Sequence, residues 1–168
     1  MTARRVLVAC TVLALAAGCT SRTGDGPAEP TKPSETASAA EDRDEMVDTG
    51  AEIAETLATV DPADIQGSVD AWLEVATGDL LTEYEDKMDT AVEQLTEAGS
   101  SAAGEAITAA ATTFDRANGT ATVLVALKTT NAQNGGDATD AYRRMRLSLT
   151  MTDDGWKADA IENVPYGG

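Results

Sequence analysis

The side chains of this sequence that could carry chemistry are the thiol of Cys19, the phenol of Tyr84 and a large number of acids. A thiolate is a nucleophile and a lipid acceptor. Acid–base catalysis needs a carboxylate or histidine in an apolar cavity, with a partner to hold the substrate oxygen. The 168 residues include no histidine, which removes the commonest general base and the commonest metal ligand. Asp70 is near Trp72, but successive helical positions diverge, so Asp70 falls beside the apolar stripe and not on it. Tyr84 reads as a hydroxyl at the rim of the domain with its ring on apolar neighbours. With no convergent acid pair, no catalytic residue is assigned and the chain is read as a non-enzyme. Glu41-Asp42 and Asp44-Glu45 favour the positive end of a first helix. Asp153-Asp154-Gly155 lacks the further oxygen ligands of a calcium loop. No metal or other cofactor is therefore expected.

Cys19 has a more specific context. Arg4 and Arg5 precede an apolar run over residues 6–17, too short to span a bilayer, which takes about 20 apolar residues. A basic start, a short apolar stretch and small residues at its end describe an export signal. The run ends Leu15-Ala16-Ala17-Gly18-Cys19, which resembles a bacterial lipobox. That resemblance implies a diacylglyceryl group on the Cys19 sulfur and cleavage before it, leaving residues 1–18 as a lipoprotein signal peptide. An ordinary signal peptide with a chance cysteine, or a twin-arginine signal begun by Arg4-Arg5, are the alternatives. Cys10 leaves with the peptide, so Cys19 is the only mature cysteine and no intrachain disulfide can form. Removing Arg4 and Arg5 takes the net charge from −17 to −19.

Two further groups of residues invite a binding role. Trp72, Tyr84, Phe114 and Trp156 could line an apolar pocket, although aromatics make up only 4% of the chain and a core has first claim on them. Ala-rich residues 102–115 leave room inside a sheet, which favours a cavity unless the core closes over those small residues. Arg143, Arg144 and Arg146 form a basic patch. They pair with acids across a sheet, or contact lipid headgroups or an acidic partner. Nucleic acid is excluded as a partner, because binding phosphates takes clustered lysine and arginine on a basic surface.

These residues need elements to position them. Residues 19–43, rich in Thr, Ser, Ala, Gly and Glu with Pro27, Pro30 and Pro33, read as a disordered tether. Its r.m.s. reach is about 25–30 Å. Order is expected over residues 44–166. Met46, Gly50, Ile53, Leu57 and Val60 recur at helical spacing. Asp61-Pro62 stops that helix and starts another carrying Ile65, Val69, Trp72 and Leu73, with Gly78 as its C-terminal cap. A short helix over 79–86 and a third run through Met88, Val92 and Leu95 follow. After Gly99 the period becomes two. Strands are expected over 102–115, 120–130, 138–152 and 156–163, with turn chemistry at Asn118-Gly119 and Asp154-Gly155. Helices followed by consecutive antiparallel strands argue an α+β domain, its N-terminal helices packed on a curved antiparallel four-stranded sheet.

Ala76-Thr77-Gly78-Asp79-Leu80-Leu81-Thr82-Glu83-Tyr84, then Ala121-Thr122-Val123-Leu124-Val125-Ala126-Leu127, then Arg144-Met145-Arg146-Leu147-Ser148-Leu149-Thr150 through Gly155-Trp156-Lys157, resemble in order and spacing the Mce-associated (mammalian cell entry-associated) protein family. The resemblance implies a nuclear transport factor 2-like cone, a bent sheet around a helix. It also implies work at the cell membrane's outer face beside Mce complexes, which move lipids or sterols across the envelope. Mce transporter subunits and a lipid ligand are the partners it suggests. Family members usually carry a membrane-spanning helix where this chain has a lipobox. The leading expectation is thus a lipid-anchored, extracytoplasmic accessory protein of an Mce-type importer acting through protein contacts. The alternatives are a lipid- or sterol-binding carrier lipoprotein using the cone as its pocket, and a cone-fold isomerase or cyclase.

Overall fold

A computed structural model describes residues 35–165. The signal peptide, Cys19, the first part of the expected tether and Tyr166 lie outside the described residues. Three helices precede four strands: α1 (Glu35–Leu57), α2 (Ile65–Val75), α3 (Gly78–Glu97), β1 (Ser100–Asp115), β2 (Thr120–Gln133), β3 (Thr139–Thr152) and β4 (Gly155–Val164). The strands form one antiparallel meander in the order β1-β2-β3-β4. This is the expected α+β arrangement of helices on one face of a curved sheet.

Strict alternation makes the sheet two-faced. Ala121, Val123, Val125 and Leu127 of β2 are buried, as are Met145, Leu147 and Leu149 of β3. Each β2 residue sits opposite a β3 residue of the same face, as in the pair Val123–Leu147. From the helices, Met46, Ile53, Ala54, Val69 and Leu80 complete the core. Bulges at Ile107 and Thr112 in β1, and at Asp159 in β4, bend the strands.

α1 begins at Glu35, nine residues before the expected start of order, so residues 35–43 are helix and not tether. The Ala-rich stretch has good helix propensity. Tertiary contact pins it, because Asp42 meets Arg116 of the β1–β2 turn at 2.7 Å. The acids at 41–45 therefore lie along α1 and not at its positive end. α2 starts three residues later than Asp61-Pro62 suggests. Asp64 is its N-cap and accepts the Gly67 N–H at 2.8 Å, while Asp61 accepts from the Ala63 N–H in the preceding turn.

Gly78 does not cap α2. It opens α3 at φ +55°, in the left-handed region. There the Thr77 N–H bonds the Ala158 carbonyl at 2.8 Å, docking the α2–α3 junction on β4. The short helix and the third apolar run are one 20-residue helix.

The room expected beside the alanines of β1 is occupied by α1. At Gly104 the helix backbone comes so close that a Cβ would lie 2.8 Å from the Ala58 Cβ and 2.9 Å from the Glu55 carbonyl oxygen. Glu55 also accepts the Ala106 N–H at 2.7 Å, and the Thr59 hydroxyl accepts that of Gly104.

Candidate functional site

The four aromatic residues singled out in the sequence are brought together two by two. Trp72 of α2 and Tyr84 of α3 have ring centroids 6.4 Å apart. The Trp72 indole N–H donates to the carbonyls of Thr56 at 2.9 Å and Thr59 at 3.1 Å, at the C-terminal end of α1. Burial raises the pKa of the Tyr84 phenol, and the Glu83 carboxylate adds to the effect. Asp70 is exposed and accepts from the Gln66 amide at 2.8 Å.

Phe114 at the end of β1 and Trp156 at the start of β4 form the second pair, 6.2 Å apart. They line an open cleft of about 640 Å³ with Met151, which stays 46% exposed. Asp42, Glu45, Asp153 and Asp154 carry the rim, with Arg116 against Asp42. A second cleft of about 600 Å³ shares Thr49, Asp154 and Trp156 with the first and adds Glu52 and Glu74. The two clefts form one groove along α1.

Positions 42, 45, 49, 52 and 56 supply one wall of it, at the spacing of a single helical face. Sequence reasoning set Asp42 and Glu45 in a charge run at the positive end of the first helix and gave Thr49, Glu52 and Thr56 no role. The signal was there in their register, immediately beside the apolar stripe of Met46, Gly50 and Ile53, a position that borders whatever packs on that stripe. Among the described residues no three acids converge in a way that could hold a metal ion. The carboxylates are spread along the groove.

The arginines divide between the two faces of β3. Arg146 reaches across to Glu162 of β4 at 2.6 Å. Arg144 donates to the Pro165 carbonyl at 2.6 Å. Both lie on the sheet face away from the helices. Arg143 is exposed at the end of the inward-facing row, opposite Leu127. On the outward face Lys128 pairs with Asp140 at 3.1 Å. Hydrogen bonds from Thr130 and then Lys128 lower the Asp140 pKa, and the same carboxylate raises that of Lys128. No described helix is long and apolar enough to cross a membrane.

No family model matches the chain, and no curated protein matches it. Solved structures do. One is an IcmL-like type IV secretion system protein from Legionella pneumophila, with a TM-score of 0.61 over 75% of this chain and 94% of that one at 10% identity. Another is the periplasmic domain of DotI, at 0.59 over 82% and 100% with 10% identity. A third is CagV, a VirB8 homologue from Helicobacter pylori, at 0.55 over 73% and 98% with 6% identity. Likeness at such identities shows the fold, which is the nuclear transport factor 2-like cone.

Proposed function

We propose that this chain is a lipid-anchored, extracytoplasmic accessory protein that acts by docking other proteins and catalyses nothing. The observation that carries this reading is a filled interior beneath an open groove. Met46, Leu127, Leu147 and Leu149, all essentially inaccessible, close the space between helices and sheet where a carrier would hold its cargo. Recognition is left to the surface, where aromatic and acidic residues line α1's groove. Proteins of the same fold support the reading, since the IcmL-like protein and CagV belong to type IV secretion systems by their names, and the DotI fragment is a periplasmic domain. The Mce-type importer is proposed as the system served, on the strength of the three resembling stretches. Cys19 supplies the anchor.

The test has two parts. Cys19→Ala is expected to release the protein from the membrane fraction, and unchanged retention would count against the anchor. Purification of the wild-type chain from its native host in mild detergent is expected to bring Mce subunits along in stoichiometric amounts. A bound lipid with no protein partner would favour the carrier reading.

A further inference from the structure

We infer that the groove along α1 binds an extended basic segment of a partner protein. The inference rests on the docking role proposed above and supplies the chemistry of the partner.

Three features select that occupant. The first is charge. Asp42, Glu45, Glu52, Glu74, Asp153 and Asp154 face the groove, against only Arg116 and Lys157. Arg116 is already held by Asp42 at 2.7 Å and Lys157 lies 3.8 Å from Asp154. The second is the floor. Phe114, Trp156 and the half-exposed Met151 give an apolar base beneath that rim, suited to aliphatic stems with a cation over the indole face. The third is shape. The carboxylates are distributed along the groove and do not converge, which suits a chain of cations and not a single ion. From Asp42 to Thr56 the helical wall is about 21 Å long, the length of about six extended residues. The acids of α3, such as Asp86, Asp89 and Glu93, lie exposed on a helix face without a comparable floor. They therefore supply the control.

The probe is a fluorescein-labelled heptapeptide alternating lysine and leucine, titrated against the full-length chain in neutral detergent at physiological salt and read by anisotropy. Saturable binding is expected. The triple variant Glu45→Gln, Glu52→Gln, Asp154→Asn is expected to weaken it by at least about tenfold. The triple variant Asp86→Asn, Asp89→Asn, Glu93→Gln makes the same charge change on α3 and is expected to weaken it by less than about twofold. Met151→Lys, which places a cation on the floor, is expected to abolish binding. Equal losses for the two triple variants would show attraction to bulk charge alone and overturn the inference, as would no saturation by the wild-type chain. Co-purification separates this from the broader reading. A partner retained by the groove variant overturns the groove and leaves the docking role standing. Absence of any partner with the wild-type chain overturns the docking role itself.

Discussion

The indole N–H of Trp72 closes the open end of α1. Helix ends leave their last carbonyls short of intrahelical partners; that of Thr56 accepts the Thr59 N–H at 3.1 Å, and Trp72 from a neighbouring helix adds a second donor to it and one to the Thr59 carbonyl just past the helix. Trp72→Phe keeps most of the ring and removes the donor. It is expected to cost about 1–2 kcal/mol, read as a lower urea midpoint at unchanged slope. A loss of only a few tenths would mean that water substitutes for the indole. Tyr84, packed against the same ring, makes a pH prediction. Burial, with Glu83 adding to it, raises its pKa above the ordinary 10.0. The folded state therefore favours the neutral phenol. That contribution is fully present below pH 10 and is lost as pH rises through the higher folded value. A spectrophotometric titration should show one of the three tyrosines ionising late, and Tyr84→Phe should remove that phase. A single normal transition for all three would refute it. At this scale the sequence made the aromatic residues conspicuous by their scarcity. It did not show their partners, because an indole bond to a carbonyl 16 residues away is a product of packing and leaves no local pattern.

Between elements the decisive contact is α1 on β1. Alternation in β2 and β3 was legible, since a period of two with one buried face fixes which residues point inward. The helical stripes were legible for the same reason, with a period of 3.6. What could not be read was how closely α1 approaches. The alanines of β1 were compatible with a hollow sheet or with a helix lying directly on it, and composition does not choose between them. Gly104 reports the answer. Gly104→Ala would put a methyl within 2.9 Å of the Glu55 carbonyl oxygen, a backbone atom that can yield only if α1 lifts. It is expected to destabilise by about 1–3 kcal/mol in chemical denaturation, whereas Gly135→Ala, where a Cβ would meet nothing within 4 Å, bears only the strain of its positive φ. A loss of only a few tenths of a kcal/mol for Gly104→Ala would mean that α1 is loosely seated. The helix boundaries failed in an instructive way. Gly78 was read as a terminator because glycine commonly follows a helix. Here its left-handed φ turns the chain into α3, which runs unbroken through the polar stretch where the sequence suggested a break, with the Glu83–Lys87 pair along its surface. The start of α1 was missed because residues 35–43 hold almost nothing apolar, and Arg116, which meets Asp42, lies more than 70 residues further on.

Across the whole molecule, charge is the dominant electrostatic fact. The chain carries 29 acids against 12 bases, so the folded state gathers like charges that the unfolded chain keeps apart. Salt acts on two opposing contributions. It weakens exposed ion pairs such as Lys87–Glu83 and Arg146–Glu162, each worth about 0–1 kcal/mol. It also screens the self-repulsion of the excess negative charge, which extends over many more pairs of groups. The Debye length falls from about 30 Å at 0.01 M to about 8 Å at 0.15 M, so repulsion across the domain is removed while contacts within an ion pair largely survive. Screening should win. The midpoint of thermal unfolding is expected to rise by about 2–5 °C between those salt concentrations, measured by circular dichroism on the full-length chain in neutral detergent. A fall would mean that the ion pairs outweigh the repulsion. The same field bears on the groove. An excess of acids attracts cations everywhere, and salt weakens that attraction for the whole surface alike. The α1 groove adds an apolar floor and a defined length that the α3 acids are not given, so a basic segment seated there retains part of its affinity at salt concentrations that release cations from α3. Residual binding at 0.5 M salt should therefore depend on Trp156 and Met151. If it vanishes for the wild-type chain as it does for Met151→Lys, the long-range field alone accounts for the association.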